Sequence, residues 1–163
     1  MTIRRAKSAF ALIAIAIILP CAFANAETET LSFGLKIWYP DTWQKVYEAD
    51  RLLVRSPDGS AIAMFCVLKA EDAAKAQMMM NMELARIFYN IEIVTQPMSS
   101  KINNLDGIVL DGTGIVGGIY VIWVARMVIY KKKALLVLGC SEPAQFTVNS
   151  DTIRKIVESI KEV

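Results

Sequence analysis

The run Ile119–Tyr130 constrains this chain most, because it alternates like a strand yet is apolar on both sides. Ile119, Val121, Trp123 and Met127 point one way, while Tyr120, Ile122, Val124 and Val128 point the other. A sheet with one wet face would alternate such residues with polar ones, so both faces of this strand must be covered. The strand therefore sits inside a sheet, with further elements packed above and below it.

The neighbouring segments supply that sheet. Residues 108–116 form a strand joined to Ile119–Tyr130 by Gly117-Gly118, a pair suited to the two-residue hairpin whose central positions both need positive φ. A turn of Lys131, Lys132 and Lys133 leads to a third strand over 134–140. Upstream, 31–39 alternates Phe33, Leu35 and Ile37 against Ser32, Gly34 and Lys36, and ends at the turn Pro40-Asp41. Short strands over 44–49 and 52–56 are joined by Asp50-Arg51, and Pro57-Asp58-Gly59 turns the chain into a strand over 61–68. Strands over 91–94 and 98–102 flank a turn at Pro97, and 103–107 form another turn.

Two helices remain to roof the sheet. Residues 71–89 hold no proline or glycine and carry Asp72 as a suitable N-cap. Met80, Leu84 and Ile87 mark the apolar face, which Met78, Met82, Ala85 and Tyr89 widen. Over 150–162, Ile153, Ile156, Val157 and Ile160 keep the spacing of a buried stripe, with Arg154 and Glu158 on the wet side. The expected fold is α+β: one antiparallel β-sheet flanked by helices on both faces, an α/β/α sandwich.

The N-terminus bears on compartment. Arg4, Arg5 and Lys7 precede an apolar run over 9–19, then Pro20 and the small-residue sequence Ala24-Asn25-Ala26. That layout is a secretory signal peptide over 1–26, cut after Ala26, and leaves a single domain over 27–163 that is periplasmic or secreted. Pro20 beside Cys21 argues against lipidation, and the apolar run falls short of the ~20 residues that span a bilayer. Residues 119–138 are interrupted by Arg126 and three lysines and do not read as a membrane span. The whole chain has 18 Lys and Arg against 16 Asp and Glu. Loss of Arg4, Arg5 and Lys7 leaves 15 against 16, so no nucleic-acid surface is expected.

Chemistry-bearing residues are few. The chain has no histidine, which removes the usual general base and the commonest metal ligand. Glu71/Asp72 and Asp41/Asp58 fall at a helix start and in turns, where capping explains them. Gly112-Thr113-Gly114-Ile115-Val116-Gly117 spells the dinucleotide fingerprint, but a strand follows where the phosphate would need a helix N-terminus. These glycines are therefore hairpin glycines. No catalytic residue and no cofactor is expected.

Four candidate groups stand beside simpler readings. Met78 and Met82, one helical turn apart, are soft thioether donors for copper, against the reading that the Met78-Met79-Met80 and Met82 cluster packs a core. Trp38, Tyr39 and Trp43 form an aromatic corner, either a partner surface or a plug for the end of the sheet. Asp111 and Arg126 become diagonal neighbours if Gly117-Gly118 is a two-residue turn, within reach of an ion pair. Cys66 and Cys140 either join as a disulfide or lie apart as buried thiols.

The order strand, Tyr-Pro-x-x-Trp turn, hairpin, helix, meander, helix resembles the PsbP-like family. The matching residues are Ile37-Trp38-Tyr39-Pro40-Asp41-Thr42-Trp43, Val54-Arg55-Ser56-Pro57-Asp58-Gly59, and Ile102-Asn103-Asn104-Leu105-Asp106-Gly107. The glycine-jointed long strands and the stripe from Ile153 to Ile160 complete the match. The resemblance implies an antiparallel sheet between helices. It spans members that assist photosystem II, a Ran-binding relative and bacterial exported domains, and it carries no binding residue over to this chain.

The expected function is a non-enzymatic, exported binding or assembly-assisting domain with a protein partner in the cell envelope. A copper-handling protein and a small enzyme are the alternatives. The latter requires a cleft that holds two carboxylates with shifted pKa values.

Overall fold

The computed structural model describes residues 26–31, 33–48 and 51–163. Apart from Ala26, the expected signal peptide lies outside them. Ten strands and two helices follow in the order β1 (Ala26–Thr30), β2 (Leu35–Pro40), β3 (Gln44–Glu48), β4 (Arg51–Arg55), β5 (Ala61–Leu68), α1 (Ala73–Ile87), β6 (Tyr89–Ile102), β7 (Leu105–Val116), β8 (Ile119–Tyr130), β9 (Lys133–Ser141), α2 (Pro143–Val157) and β10 (Lys161–Glu162). Seven strands form one antiparallel sheet in the order β3-β4-β5-β9-β8-β7-β6, and β1-β2-β10 form a second. Two sheets therefore stand where one was expected, because β2 pairs with strands from the two ends of the domain, and among the described residues the fold is mostly antiparallel β with two helices.

The meander is governed by its turns. Ile102 pairs with Leu105, Val116 with Ile119 and Tyr130 with Lys133, so each connection is two residues long. Both residues have positive φ in every case: Asn103 and Asn104, Gly117 and Gly118, Lys131 and Lys132. This is the mirror-image turn whose twist matches that of the flanking strands.

The pleat of β8 divides the core. Val124 and Val128 join one apolar cluster with Leu35 and Ile37 of β2 and with Ile153, Ile156 and Val157 of α2. Val121, Trp123, Ala125 and Met127 join another with Met64 and Cys66 of β5 and Ala76, Met80 and Leu84 of α1. The first helix starts where the Asp72 carboxylate accepts the Lys75 N–H at 2.7 Å, and its buried residues recur every fourth position. The second seats closely on the sheet, because Gly139 leaves room for it: a Cβ there would lie 2.3 Å from Ile153 Cγ2.

The structure corrects the expected boundaries in three places. Residues 31–39 are not one strand: Gly34, at φ +93, turns the chain between β1 and β2. Pro97 makes no turn but sits in the long edge strand β6, whose register shifts three times. An edge tolerates proline's missing donor, and bulges absorb the extra residues. The last helix spans Pro143–Val157, not 150–162. Proline fits its first turn, and the buried Ile160 lies beyond the helix end, on the approach to β10.

Candidate functional site

Asn103, the first residue of the β6–β7 turn, clasps the far end of α2. Its side-chain amide donates to the carbonyls of Glu158 at 2.7 Å and Ile160 at 2.9 Å. Helix ends leave such carbonyls unsatisfied, so the turn is tied to the helix by bonds the helix itself cannot make. Two clefts open on either side of this clasp, and Asn103 and Glu158 line both.

The first cleft, of about 400 Å³, is lined further by Ser100, Lys101, Ile102, Val109 and Arg126. Arg126 is 7 % exposed. Its Nη1 donates to Asp111 Oδ1 at 2.8 Å and to the Ala125 carbonyl at 2.9 Å, and its Nη2 lies 3.8 Å from Glu158 Oε1. This guanidinium is thus held by two carboxylates, and its charge is satisfied internally.

The second cleft, of about 410 Å³, is lined further by Thr28, Ile37, Trp38, Lys155, Ser159 and Lys161. The Ser159 hydroxyl accepts the Trp38 backbone N–H at 2.8 Å and donates to the Ile156 carbonyl at 2.7 Å, fixing β2 against the end of α2. Register places Lys161 directly opposite Lys36, so two like charges share the outer face of the small sheet with Trp38, Thr28 and Thr30. Lys36, Lys155 and Lys161 make no ion pair among the described residues. The cleft thus carries two lysines, Lys155 and Lys161, against one carboxylate, Glu158, which lies 3.8 Å from Arg126, together with a half-buried indole.

A separate cluster braces β1 against β2 and β3. Glu29 accepts from the Tyr47 hydroxyl at 2.8 Å and from Lys45 Nζ at 3.1 Å, and Tyr39 donates to Glu27 at 3.0 Å. The Tyr47 hydrogen bond, reinforced by Lys45, holds the Glu29 carboxyl below its usual range. Burial, with the Glu27 carboxylate, pushes the Tyr39 hydroxyl up to about 12. Each charge here has a partner on a neighbouring strand, an arrangement that staples the strands together.

Asp111 and Arg126 are brought together, with Arg126 opposite Val109 as a two-residue Gly117-Gly118 turn requires. The aromatic corner is not a surface patch. Tyr39 is 1 % and Trp43 7 % exposed inside the core, and only Trp38 is left half-buried at a cleft. The core-packing reading of the methionines is corrected for Met78 and Met82, while Met79 packs against the α1 cluster that holds Met80. Met80 is buried, but Met78 is 46 % and Met82 59 % exposed, because the face that meets the sheet runs through Ala76, Met80 and Leu84. Cys66 and Cys140 do not bond to each other: Cys66 faces Leu136 and Cys140 faces Ile62, four positions apart along adjoining strands. That offset is about 13 Å, beyond the reach of a disulfide. Burial pushes the Cys140 thiol up to about 11.

Gly112 and Gly114 lie in β7 and make room for rings: a Cβ on Gly112 would lie 2.4 Å from Trp123, and one on Gly114 3.0 Å from Phe88. Those two rings stack at 5.8 Å. Asn103, Lys155, Ser159 and Lys161 escaped the sequence reading. Their only local signal was the Asn-Asn turn, which says nothing of a bond to a carbonyl 55 residues away.

No family model and no curated protein sequence matches the chain. Solved structures do. The chain is similar to cyanobacterial PsbP (CyanoP) of Synechocystis, at 9 % identity over 88 % of this chain and 96 % of that one, with a TM-score of 0.66. It is also similar to the Ran-binding protein Mog1p of Saccharomyces cerevisiae, at 6 % identity over 86 % and 96 %, with a TM-score of 0.57. A third likeness is to LpqN of Mycobacterium tuberculosis, involved in cell envelope biogenesis, at 13 % identity over 84 % and 90 %, with a TM-score of 0.52. The order of elements along the chain agrees with the motifs noted above, and the likeness to these structures shows that this chain has the PsbP-like fold.

Proposed function

We propose that the chain is an exported, non-enzymatic domain that binds an acidic surface of a cell-envelope protein through the Trp38 cleft. The observation that carries this reading is the cross-strand pair Lys36 and Lys161 beside Trp38: neither lysine makes an ion pair among the described residues, and the carboxylate that lines the cleft, Glu158, lies 3.8 Å from Arg126. Like charges placed opposite one another destabilise a sheet, and an anionic partner relieves that repulsion on binding. Trp38 supplies the rigid apolar anchor around which such contacts cluster.

Three further points support the reading. The basic start, apolar run and Ala-Asn-Ala sequence are those of a secretory signal. Of the groups with displaced pKa values, Glu29, Tyr39, Lys45 and Tyr47 brace strands, Asp58 sits in a turn and Cys140 is buried. None of them lines the Trp38 cleft. Finally, α1 and α2 belong to separate clusters on alternate residues of β8, which supports one helix on each face of the large sheet. That arrangement closes both sides of the sheet and leaves the flank at Trp38 open for recognition. LpqN, of similar fold, is described as involved in cell envelope biogenesis.

The test is photo-crosslinking in intact cells, with the reactive residue placed at position 38 and, separately, at Val148, which is 76 % exposed on α2. The expected result is one envelope-protein adduct of discrete mass from position 38 alone, lost when Lys36 and Lys161 are changed to Glu. Equal adducts from both positions, or none from position 38, would contradict the reading.

A further inference from the structure

The three mirror-image turns of the meander differ in what occupies them. Asn103-Asn104 and Gly117-Gly118 are the residue types that accept positive φ readily, whereas Lys131 and Lys132 sit at φ 47 and φ 60. A lysine has no side-chain group that stabilises the left-handed region, so stability is given up to keep these two residues there. Strain retained at a surface turn points to a use for the charges it displays.

Those charges are concentrated. Lys132 and Lys133 line a cleft of about 570 Å³ with Lys69 and Lys75. Glu71 and Asp72 are the acidic residues lining it, and the Asp72 carboxylate is committed to capping α1. None of the five lysines from this end makes an ion pair among the described residues. Lys131 Nζ stands 4.7 Å from the Tyr130 ring centroid and Lys133 Nζ 5.5 Å from that of Phe33. Phe33 is buried in the core, but an ammonium beside the partly exposed Tyr130 ring, among further lysines, is the composition of a membrane interface. The strands that make this tip, β8 and β9, are each paired on both sides, so no free edge receives an extended acidic peptide.

We propose that the Lys131-Lys132-Lys133 tip, with Lys69 and Lys75, is a docking surface for anionic phospholipid headgroups. It is independent of the Trp38 cleft, whose lysines, Lys155 and Lys161, belong to α2 and β10. The measurement is co-sedimentation with phosphatidylcholine vesicles, with and without about one third phosphatidylglycerol, at low and at physiological salt. All variants share the same N-terminus, so that the segment over 1–26, where it is retained, contributes equally.

Binding is expected only with phosphatidylglycerol, weakening as salt rises. Each lysine near such a surface is worth about fivefold in partitioning, so Lys131→Asn with Lys132→Gly should weaken binding about 25-fold. That variant should also melt higher than the parent, because its residues suit the turn. Lys131→Gln with Lys132→Gln removes the same charges but keeps the backbone cost, so it loses binding with a smaller rise in melting temperature. Equal binding to both vesicle types, or binding by the Asn-Gly variant within twofold of the parent, overturns the proposal. So does a free polyglutamate peptide that binds the tip more tightly than the vesicles do. A melting temperature for the Asn-Gly variant no higher than that of the Gln variant removes the premise that the lysines are kept at a cost.

Discussion

Gly139→Ala perturbs the seat of α2 with a single methyl group. The added Cβ would lie 2.3 Å from Ile153 Cγ2 and 3.4 Å from Val157 Cγ1, against ordinary contacts of 3.4–4 Å. The helix must therefore move by more than 1 Å or Ile153 must leave its rotamer, and overpacking of this kind costs ~1–3 kcal/mol. Ile153 is fully buried, so Ile153→Ala alone costs ~2–5 kcal/mol in lost burial and cavity. In the double variant the offending Cγ2 is gone, and the methyl added at position 139 fills part of the space it left. The double variant should then be no less stable than Ile153→Ala, a coupling of about 1–3 kcal/mol in the thermodynamic cycle. Urea unfolding with a shared m-value measures all four proteins. A coupling within about 0.5 kcal/mol of zero would refute the reasoning, since it would mean that α2 does not rest on Gly139.

Two other expectations concern charges. Asp111→Ala leaves the Arg126 guanidinium, whose side chain is 9 % exposed, with the Ala125 carbonyl and, as its counter-charge, the more distant Glu158. The loss should be about 1–3 kcal/mol, discounted because Asp111 is partly exposed, and the added change Arg126→Met should recover part of it in the same unfolding assay. Asp58 accepts from the hydroxyls of Ser56 at 2.6 Å and Ser60 at 2.8 Å, which lowers its pKa from 3.8 to about 2. A depressed folded-state pKa contributes stability above the unfolded value that is lost as pH falls through the folded one. Wild-type stability should thus decline between pH 4 and pH 2, and Asp58→Asn should flatten that part of the profile. An unchanged slope in the variant would remove the turn from the acid response.

Much of the fold was legible because it is written in local terms. The two-sided apolar pattern of Ile119–Tyr130, the glycine pair after Val116 and the N-cap at Asp72 each act within a few residues, and each sits where the pattern put it. The boundaries that shifted depend on partners distant in sequence. Residues 150–162 keep a helical spacing of apolar residues, yet Ile160 is buried beyond the helix end and β10 pairs with β2. Bulges let β6 run through Pro97, a residue that reads locally as a turn. The site was the least legible part. Asn103 bonds to carbonyls near residue 160, and Lys36 meets Lys161 across strands from opposite ends of the chain. No spacing along the sequence announces either. The aromatic corner misled for a related reason, because composition cannot tell Trp38 at a cleft from Tyr39 and Trp43 in the core.

Oxidative footprinting of the folded protein, read residue by residue by mass spectrometry, tests together the proposed cover on each face of the large sheet and the proposed open flank. Met78, Met82, Met98 and Trp38 should oxidise readily, while Met80 and Met127 under α1 and Tyr39 and Trp43 in the α2 cluster should resist until the protein unfolds. Oxidation of Met80 and Met127 as fast as Met82, or a Trp38 as inert as Trp43, would contradict a sheet closed on both sides with one flank left for binding.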